Sequence, residues 1–318
     1  MLRVRVVSPS ERTDELVAAL LPVPGVVTLA VDRGTAVKPP GDVVVADVIR
    51  ECANEVLERI EALGLDDGEI TLVDIGADQS DLADDARDEY PGRGVDVVVW
   101  DEFEQHVRTD GEPSLAFFSF MAIAAVIATV GIVVDSAVLI VGAMVVGPEY
   151  GPLAALAVAI YKRRGRPAVD ALVTLLGGLL LAIAVSALCT SVFEAADTGV
   201  ISANERFFTK FVTQPNIYSV IVAFSAGLVG IMAIGLGRSG ALTGVVVSVT
   251  TIPAAAAIGV DASEGAWHNA GRGALVLLIN VVCLTLGGVT ALVLQRFLWA
   301  HVARIPLQVR GRDLHHTD

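Results

Sequence analysis

Cysteine is scarce in this chain, and the three present, Cys52, Cys189 and Cys283, form no Cys-x-x-Cys or Cys/His spacing. Neither a disulfide framework nor a zinc site has its sequence pattern. The five histidines are scattered, with His315 and His316 in the tail. Walker, G-x-S-x-G and H-E-x-x-H motifs are missing too, so no enzyme activity, metal or cofactor is expected. The single G-x-G-x-x-G match, Gly235-Leu236-Gly237-Arg238-Ser239-Gly240, follows an apolar run rather than a strand and reads as a tight turn. Basic charge is in deficit, with a net charge of −14, which argues against nucleic acid as a partner. The amino terminus, Met1-Leu2-Arg3-Val4-Arg5, lacks the apolar core of a signal peptide, so the first domain is expected to stay in the cytoplasm.

What the chain has in quantity is apolar sequence. Of 318 residues 54% are hydrophobic and the mean hydropathy is +0.66, well above a soluble average. The acids are concentrated at the front: residues 1–113 carry 10 Lys/Arg against 26 Asp/Glu, and residues 114–318 carry 12 against 10. An acidic soluble domain is therefore fused to a nearly neutral membrane domain. The expected division is 1–77 cytoplasmic domain, 78–113 acidic linker and juxtamembrane helix, 114–300 transmembrane domain and 301–318 cytoplasmic tail.

In the first domain, 2–8 alternates as a strand, and Ser10-Glu11-Arg12-Thr13-Asp14 opens a helix to about Leu21. A second strand over 25–31 turns at Asp32-Arg33-Gly34, and a third covers 42–48. An amphipathic helix over 50–65, with Val56, Ile60 and Leu63 at helical spacing, leads to a fourth strand over 69–75. This β-α-β-β-α-β order is the ferredoxin-like α+β arrangement. It also occurs in small regulatory modules, an analogy of fold that names no ligand. Beyond the acidic stretch 78–93, residues 101–108 form a helix carrying Phe103 and Val107, either coupling the domain to the first span or packing on the domain itself.

From Ser114 onward six apolar stretches of about 20 residues follow, at 115–134, 136–161, 168–192, 217–237, 240–260 and 273–299. Lys162, Arg163, Arg164 and Arg166 follow the second, Arg238 the fourth, and Arg296 and Arg304 trail the sixth. The positive-inside rule then places both termini in the cytoplasm of a bacterial or archaeal cell membrane. The second stretch is broken at Gly147-Pro148-Glu149-Tyr150-Gly151-Pro152, because two prolines four apart cannot both keep helical hydrogen bonds. Pro253 interrupts the fifth. Irregular backbone at membrane depth survives only inside protein or beside a water-filled cavity. Asn204 to Asn216, with Phe207, Phe208 and Phe211, reads as an interfacial segment on the outer side.

Spans one to three also resemble spans four to six. Ile127-Ala128-Thr129-Val130-Gly131-Ile132 overlays Ile231-Met232-Ala233-Ile234-Gly235-Leu236, and Pro148 falls within one residue of Pro253. Thr174-Leu175-Leu176-Gly177-Gly178 overlays Leu284-Thr285-Leu286-Gly287-Gly288 once a longer outer loop, 261–272, is allowed. The second overlay pairs Asp170 with Asn280. The expected fold is thus a polytopic α-helical membrane protein of six spans, a 3+3 inverted repeat with helices 2 and 5 broken. Transporters of this kind bind substrate at the midplane between the repeats. Glu149 is the sharpest candidate, since an intramembrane carboxylate costs a few kcal/mol and marks function by default. It could bind a cation, carry a proton or hold substrate, or it could simply tie down the break. Pro148, Tyr150, Thr250, Thr251, Pro253 and Asn280 complete the candidate pathway, with Ser248 nearby. The paired glycines are expected to let helices approach closely.

Ile132-Val133-Val134-Asp135-Ser136, then Val141-Gly142-Ala143-Met144-Val145-Val146-Gly147-Pro148 and Gly151-Pro152-Leu153, resemble the signature of a prokaryotic membrane family. This is domain-of-unknown-function family 389, an uncharacterised hydrophobic domain. The resemblance covers most of residues 95–295 and implies a small cytoplasmic N-terminal domain on a multi-span bundle. Many members have two apolar residues where this chain has Glu149 and Tyr150, so the family implies no shared substrate. Two functions follow as expectations. One is a homo-oligomeric channel or carrier for an ion or small polar solute, gated by the cytoplasmic domain. The other is a membrane-anchored sensor or scaffold through which nothing passes.

Overall fold

A computed structural model describes residues 1–64, 69–75, 82–83, 86, 99–196, 217–236 and 251–302, with backbone only for 101 and 298–302. The chain divides into two compact units, with boundaries between Glu102 and Phe103 and between Arg296 and Phe297.

In the N-terminal unit the elements run β1 (Leu2–Ser8), α1 (Thr13–Leu20), β2 (Val26–Val37), β3 (Pro40–Val48), α2 (Ala53–Ala62) and β4 (Glu69–Asp74). The four strands make one antiparallel sheet in the order β2-β3-β1-β4. Alternation puts Leu2, Val4 and Val6 of β1 into a core shared with Leu16 and Leu20 of α1 and with Val56 and Ile60 of α2. On the opposite face the register sets Arg3 against Asp47, and the guanidinium grips the carboxylate at 2.6 and 2.9 Å. That bond holds the Asp47 carboxyl below its usual range, with help from the Thr28 hydroxyl.

Two local expectations need correction. Asp32-Arg33-Gly34 is not a turn: β2 continues to Val37, and the residues between Asp32 and Ala36 form an irregularity in its pairing with β3. Gly34 takes φ +68° there, and its N–H donates to Asp42 Oδ1 at 2.8 Å. The second helix is also shorter than 50–65. Arg50–Cys52 is a 3₁₀ turn, and Gly64 at φ +57° closes α2 two residues after Ala62. A left-handed glycine just past the last turn is a common helix stop.

The second unit is helical. It contains α3 (Trp100–Gly111), α4 (Leu115–Val133), α5 (Ala137–Val146), α6 (Tyr150–Tyr161), α7 (Gly165–Ala195), α8 (Ile217–Gly235), α9 (Thr251–Ser263) and most of α10 (Trp267–Val302). Among the described residues, α4, α7, α8 and α10 are long and apolar enough to cross a membrane. The pair α5 and α6, bent by 56°, makes a fifth candidate. Large apolar side chains such as Ile123, Leu180, Val222 and Leu286 stand exposed on these helices. A water-facing surface would not tolerate that pattern, and a lipid-facing one requires it. The stretch expected as a fifth span, 240–260, is described only from Thr251 onward, and 204–216 lies outside the described residues.

Small residues set the helix contacts. A Cβ on Gly227 would strike the Leu284 backbone, and one on Gly287 would strike the Phe224 carbonyl, so α8 and α10 meet backbone to backbone. Gly178 of α7 lies under Phe117 of α4, where a Cβ would sit 2.8 Å from the ring. The close-approach role expected of the paired glycines holds at Gly178, Gly287 and Gly288. The outer loop expected at 261–272 shrinks to three residues, because α9 runs to Ser263 and α10 starts at Trp267. Ala266 N–H reaches back to the Asp261 carbonyl at 2.7 Å to close that turn, with Gly265 at φ +74°.

Candidate functional site

The broken helix follows from backbone chemistry. Proline disfavours helical ψ in the residue before it, and Gly147 is extended at φ −69°, ψ 130°. Pro152 has no N–H, so the Pro148 carbonyl is taken instead by the Gly151 N–H at 3.3 Å. Helix α6 restarts with Glu149 as its N-cap residue, but the Glu149 side chain does not cap. It turns away from its own helix.

That side chain is 1% exposed. Its Oε1 accepts from the Thr251 hydroxyl at 2.7 Å, and its Oε2 has no hydrogen-bond partner among the described residues. Gly147 is required beside it, since a Cβ at 147 would run into both Ile252 and Glu149 Oε2. The break between α5 and α6 therefore rests directly on the start of α9. Tyr150 points elsewhere: its hydroxyl donates weakly to the Gly227 carbonyl at 3.4 Å, and the ring tip fills the space over Gly230. Gly227 is the eleventh of nineteen residues in α8, about 15 Å from one end and about 12 Å from the other at 1.5 Å per residue.

Helix α3 bears on the same break. A Cβ on Gly151 would meet the Asp110 carbonyl, and Gly111 abuts Ala155. At the far end of α6, Glu104 of α3 pairs with both Lys162 and Arg164. From Phe103 on, α3 is thus held along α6 by close backbone packing at one end and by ion pairs at the other.

Of the residues expected to form the site, Pro148, Glu149 and Thr251 come together. Tyr150 packs against α8 and does not join them. Pro253 is the third described residue of α9, and the residues before Thr251, where the expected interruption would show, lie outside the described residues. Asn280 is buried on α10 and engaged in an interaction of its own. Thr250 and Ser248 lie outside the described residues. Sequence reasoning missed three features. Gly147 was read only as a bend, although its lack of a side chain makes room for Ile252 and the carboxyl. The seating of Asp110 on Gly151 joins residues 41 apart with no motif between them. Asp261 falls in the outer loop that the repeat overlay requires at 261–272, yet it is buried within α9 and engaged. A helix-period count from Thr251 would have kept it in α9.

Chemically, the arrangement is one carboxyl, one hydroxyl donor and apolar neighbours. No group of three or more His, Cys, Asp or Glu that could hold a metal ion occurs among the described residues.

An uncharacterized protein of Methanocaldococcus jannaschii, MJ0678, is 23% identical over 169 residues, which is 53% of this chain and 51% of that protein. The chain thus matches about half the length of this curated relative. No solved structure matches the chain. Residues 144–286, from the end of α5 into α10, match the model of the family described as domain of unknown function DUF389, and this matched region, which holds Glu149 and Thr251, is similar to the family to which the signature pointed.

Proposed function

We propose that this protein is a membrane transport protein, a channel or secondary carrier, for an ion or small polar solute. The observation that carries the proposal is the enclosed Glu149 carboxyl, bonded to Thr251 where the α5–α6 break meets the start of α9. Tyr150, the next residue, abuts the middle of α8, which corresponds to mid-bilayer if α8 spans the membrane. An ionisable group at that depth is rare and marks pathways in membrane proteins. The contacts of Gly147 with Ile252 and of Glu149 with Thr251 join the two segments that the sequence repeat overlays. That supports a 3+3 inverted repeat of six spans with its site between the halves, as in secondary transporters. The cytoplasmic domain is read as ferredoxin-like and regulatory, both termini as cytoplasmic, and the assembly as a homo-oligomer.

One observation favours the alternative of an anchored sensor or scaffold: Glu149 is closed to solvent in this conformation. Reconstituted full-length protein separates the two. Under imposed potassium, sodium, chloride and pH gradients, transport predicts a current or flux above protein-free vesicles that drops at least tenfold in Glu149→Gln. An absence of flux under every gradient, from protein that is folded and inserted, would favour the sensor.

A further inference from the structure

Glu149 presents a charge-balance problem that its surroundings narrow to one answer. A buried carboxylate without a counter-charge is far more costly than a buried neutral polar group. Its described partner is a neutral hydroxyl on Oε1, and Oε2 has none among the described residues. The bases at the far end of α6, Lys162 and Arg164, are engaged with Glu104. About 18 Å of helix separates them from Glu149. The groups on the elements packed against the break are few. From α6 itself the neighbour is Tyr150, whose hydroxyl is turned to Gly227. From α3 it is Asp110, whose side chain is exposed. From the start of α9 come Thr251 and Ile252, neither of which titrates. None of these supplies a positive charge.

Among the described residues, then, no group of the chain balances a charge on Glu149, and a bound cation is left to do so. Hard metal cations take six or more oxygen ligands, and the oxygens at hand are the two of Glu149 and the hydroxyl of Thr251. Ile252 lies beside Gly147 and Oε2, and no group of acids or histidines that could complete such a shell occurs among the described residues. A proton is the cation that one carboxyl oxygen holds without a coordination sphere. We infer that Glu149 is a proton-binding site, with the proton on Oε2 and the Thr251 hydroxyl fixing Oε1, and that transport by this protein is coupled to proton exchange at this carboxyl. The inference rests on the transport reading and adds the identity of the coupling ion. Thr251 is then a positioning residue. It holds the carboxyl so that the proton stays on the oxygen enclosed by Gly147 and Ile252.

Infrared difference spectroscopy of the reconstituted full-length protein, recorded across a pH titration, tests this without knowledge of the solute. The expected result is a protonated-carboxyl carbonyl band at low pH that disappears at high pH and is missing throughout in Glu149→Gln. Glu149→Asp should keep a band at a shifted position, and Thr251→Val should shift the band of Glu149, which a purely structural threonine would not do. Adding sodium or potassium at fixed pH should leave the band unchanged. A spectrum identical in wild type and Glu149→Gln would overturn the inference, as would loss of the band on adding either metal cation. Flux measured on the same vesicles separates the two readings. Glu149-dependent flux without the band removes the proton and leaves transport, whereas the band without flux removes transport and leaves a buried protonated acid.

Discussion

At the scale of single residues, Gly147 and Thr251 define how Glu149 is held, and each makes a separate prediction. Gly147→Ala places a methyl where Ile252 and Glu149 Oε2 already stand. Overpacking of this kind costs about 1–3 kcal/mol, so the thermal midpoint in detergent should fall clearly below wild type. Thr251→Val keeps the shape and removes the hydrogen bond to Oε1. Loss of a buried donor costs about 1–3 kcal/mol, and Thr251→Ser should recover most of it in the same melt. Cys52 gives a check on the soluble unit. It is fully buried, and burial, with Glu55 and Glu51 nearby, pushes its thiol up to about 12. It should resist a maleimide at neutral pH in the folded protein and react promptly after denaturation, as mass spectrometry can report. Fast labelling of the native chain would contradict the core described for the N-terminal unit.

At the scale of elements, the sheet and the helix pairs respond to different variables. The Gly34 N–H and the hydroxyls of Ser10 and Thr13 hold the Asp42 carboxyl below its usual range, as Arg3 does for Asp47. A carboxyl depressed in the folded state stabilises the fold above its unfolded pKa, about 3.9, and that stabilisation is lost as pH falls through the lower folded value. Amide exchange in β1 and β3 should therefore speed up below about pH 4 beyond the intrinsic rate, and Asp42→Asn should remove part of that pH dependence. Between α8 and α10 the contact is backbone on backbone, with no flexible side chain to give way. Gly287→Val should force the helices apart and lower the yield of folded protein more than the same change at Gly177, which has only the Phe118 ring at 3.6 Å. Much of this level was legible in the sequence. Hydropathy located the apolar helices, and the two prolines located the break, because both signals are local. The bulge at Gly34 and the packing of α3 on α6 were not legible. The first depends on the partner strand's Asp42, and the second on two helices that only the fold brings together.

At the scale of the whole molecule, an acidic domain with a small antiparallel sheet is joined to a set of apolar helices that enclose the Glu149 carboxyl. In composition the acids and the apolar residues separate near residue 113, while the compact units divide between Glu102 and Phe103. The candidate site was legible in part. Glu149 stood out because a charge interrupts an apolar run, and Thr251 because it neighbours a proline at the repeat-related position. Their hydrogen bond was not legible, for 102 residues separate them and no spacing rule links them. The account stands on Glu149 being reachable from water in some conformation although it is enclosed in this one. Cysteine accessibility tests that most directly: with Cys52, Cys189 and Cys283 replaced by serine or alanine, Glu149→Cys is treated in vesicles with a small, charged, membrane-impermeant thiol reagent from each side in turn. The account predicts modification from at least one side, at a rate that changes with an imposed pH gradient. A thiol at 149 that never reacts with the aqueous reagent, yet is labelled by a lipid-soluble one, would contradict it.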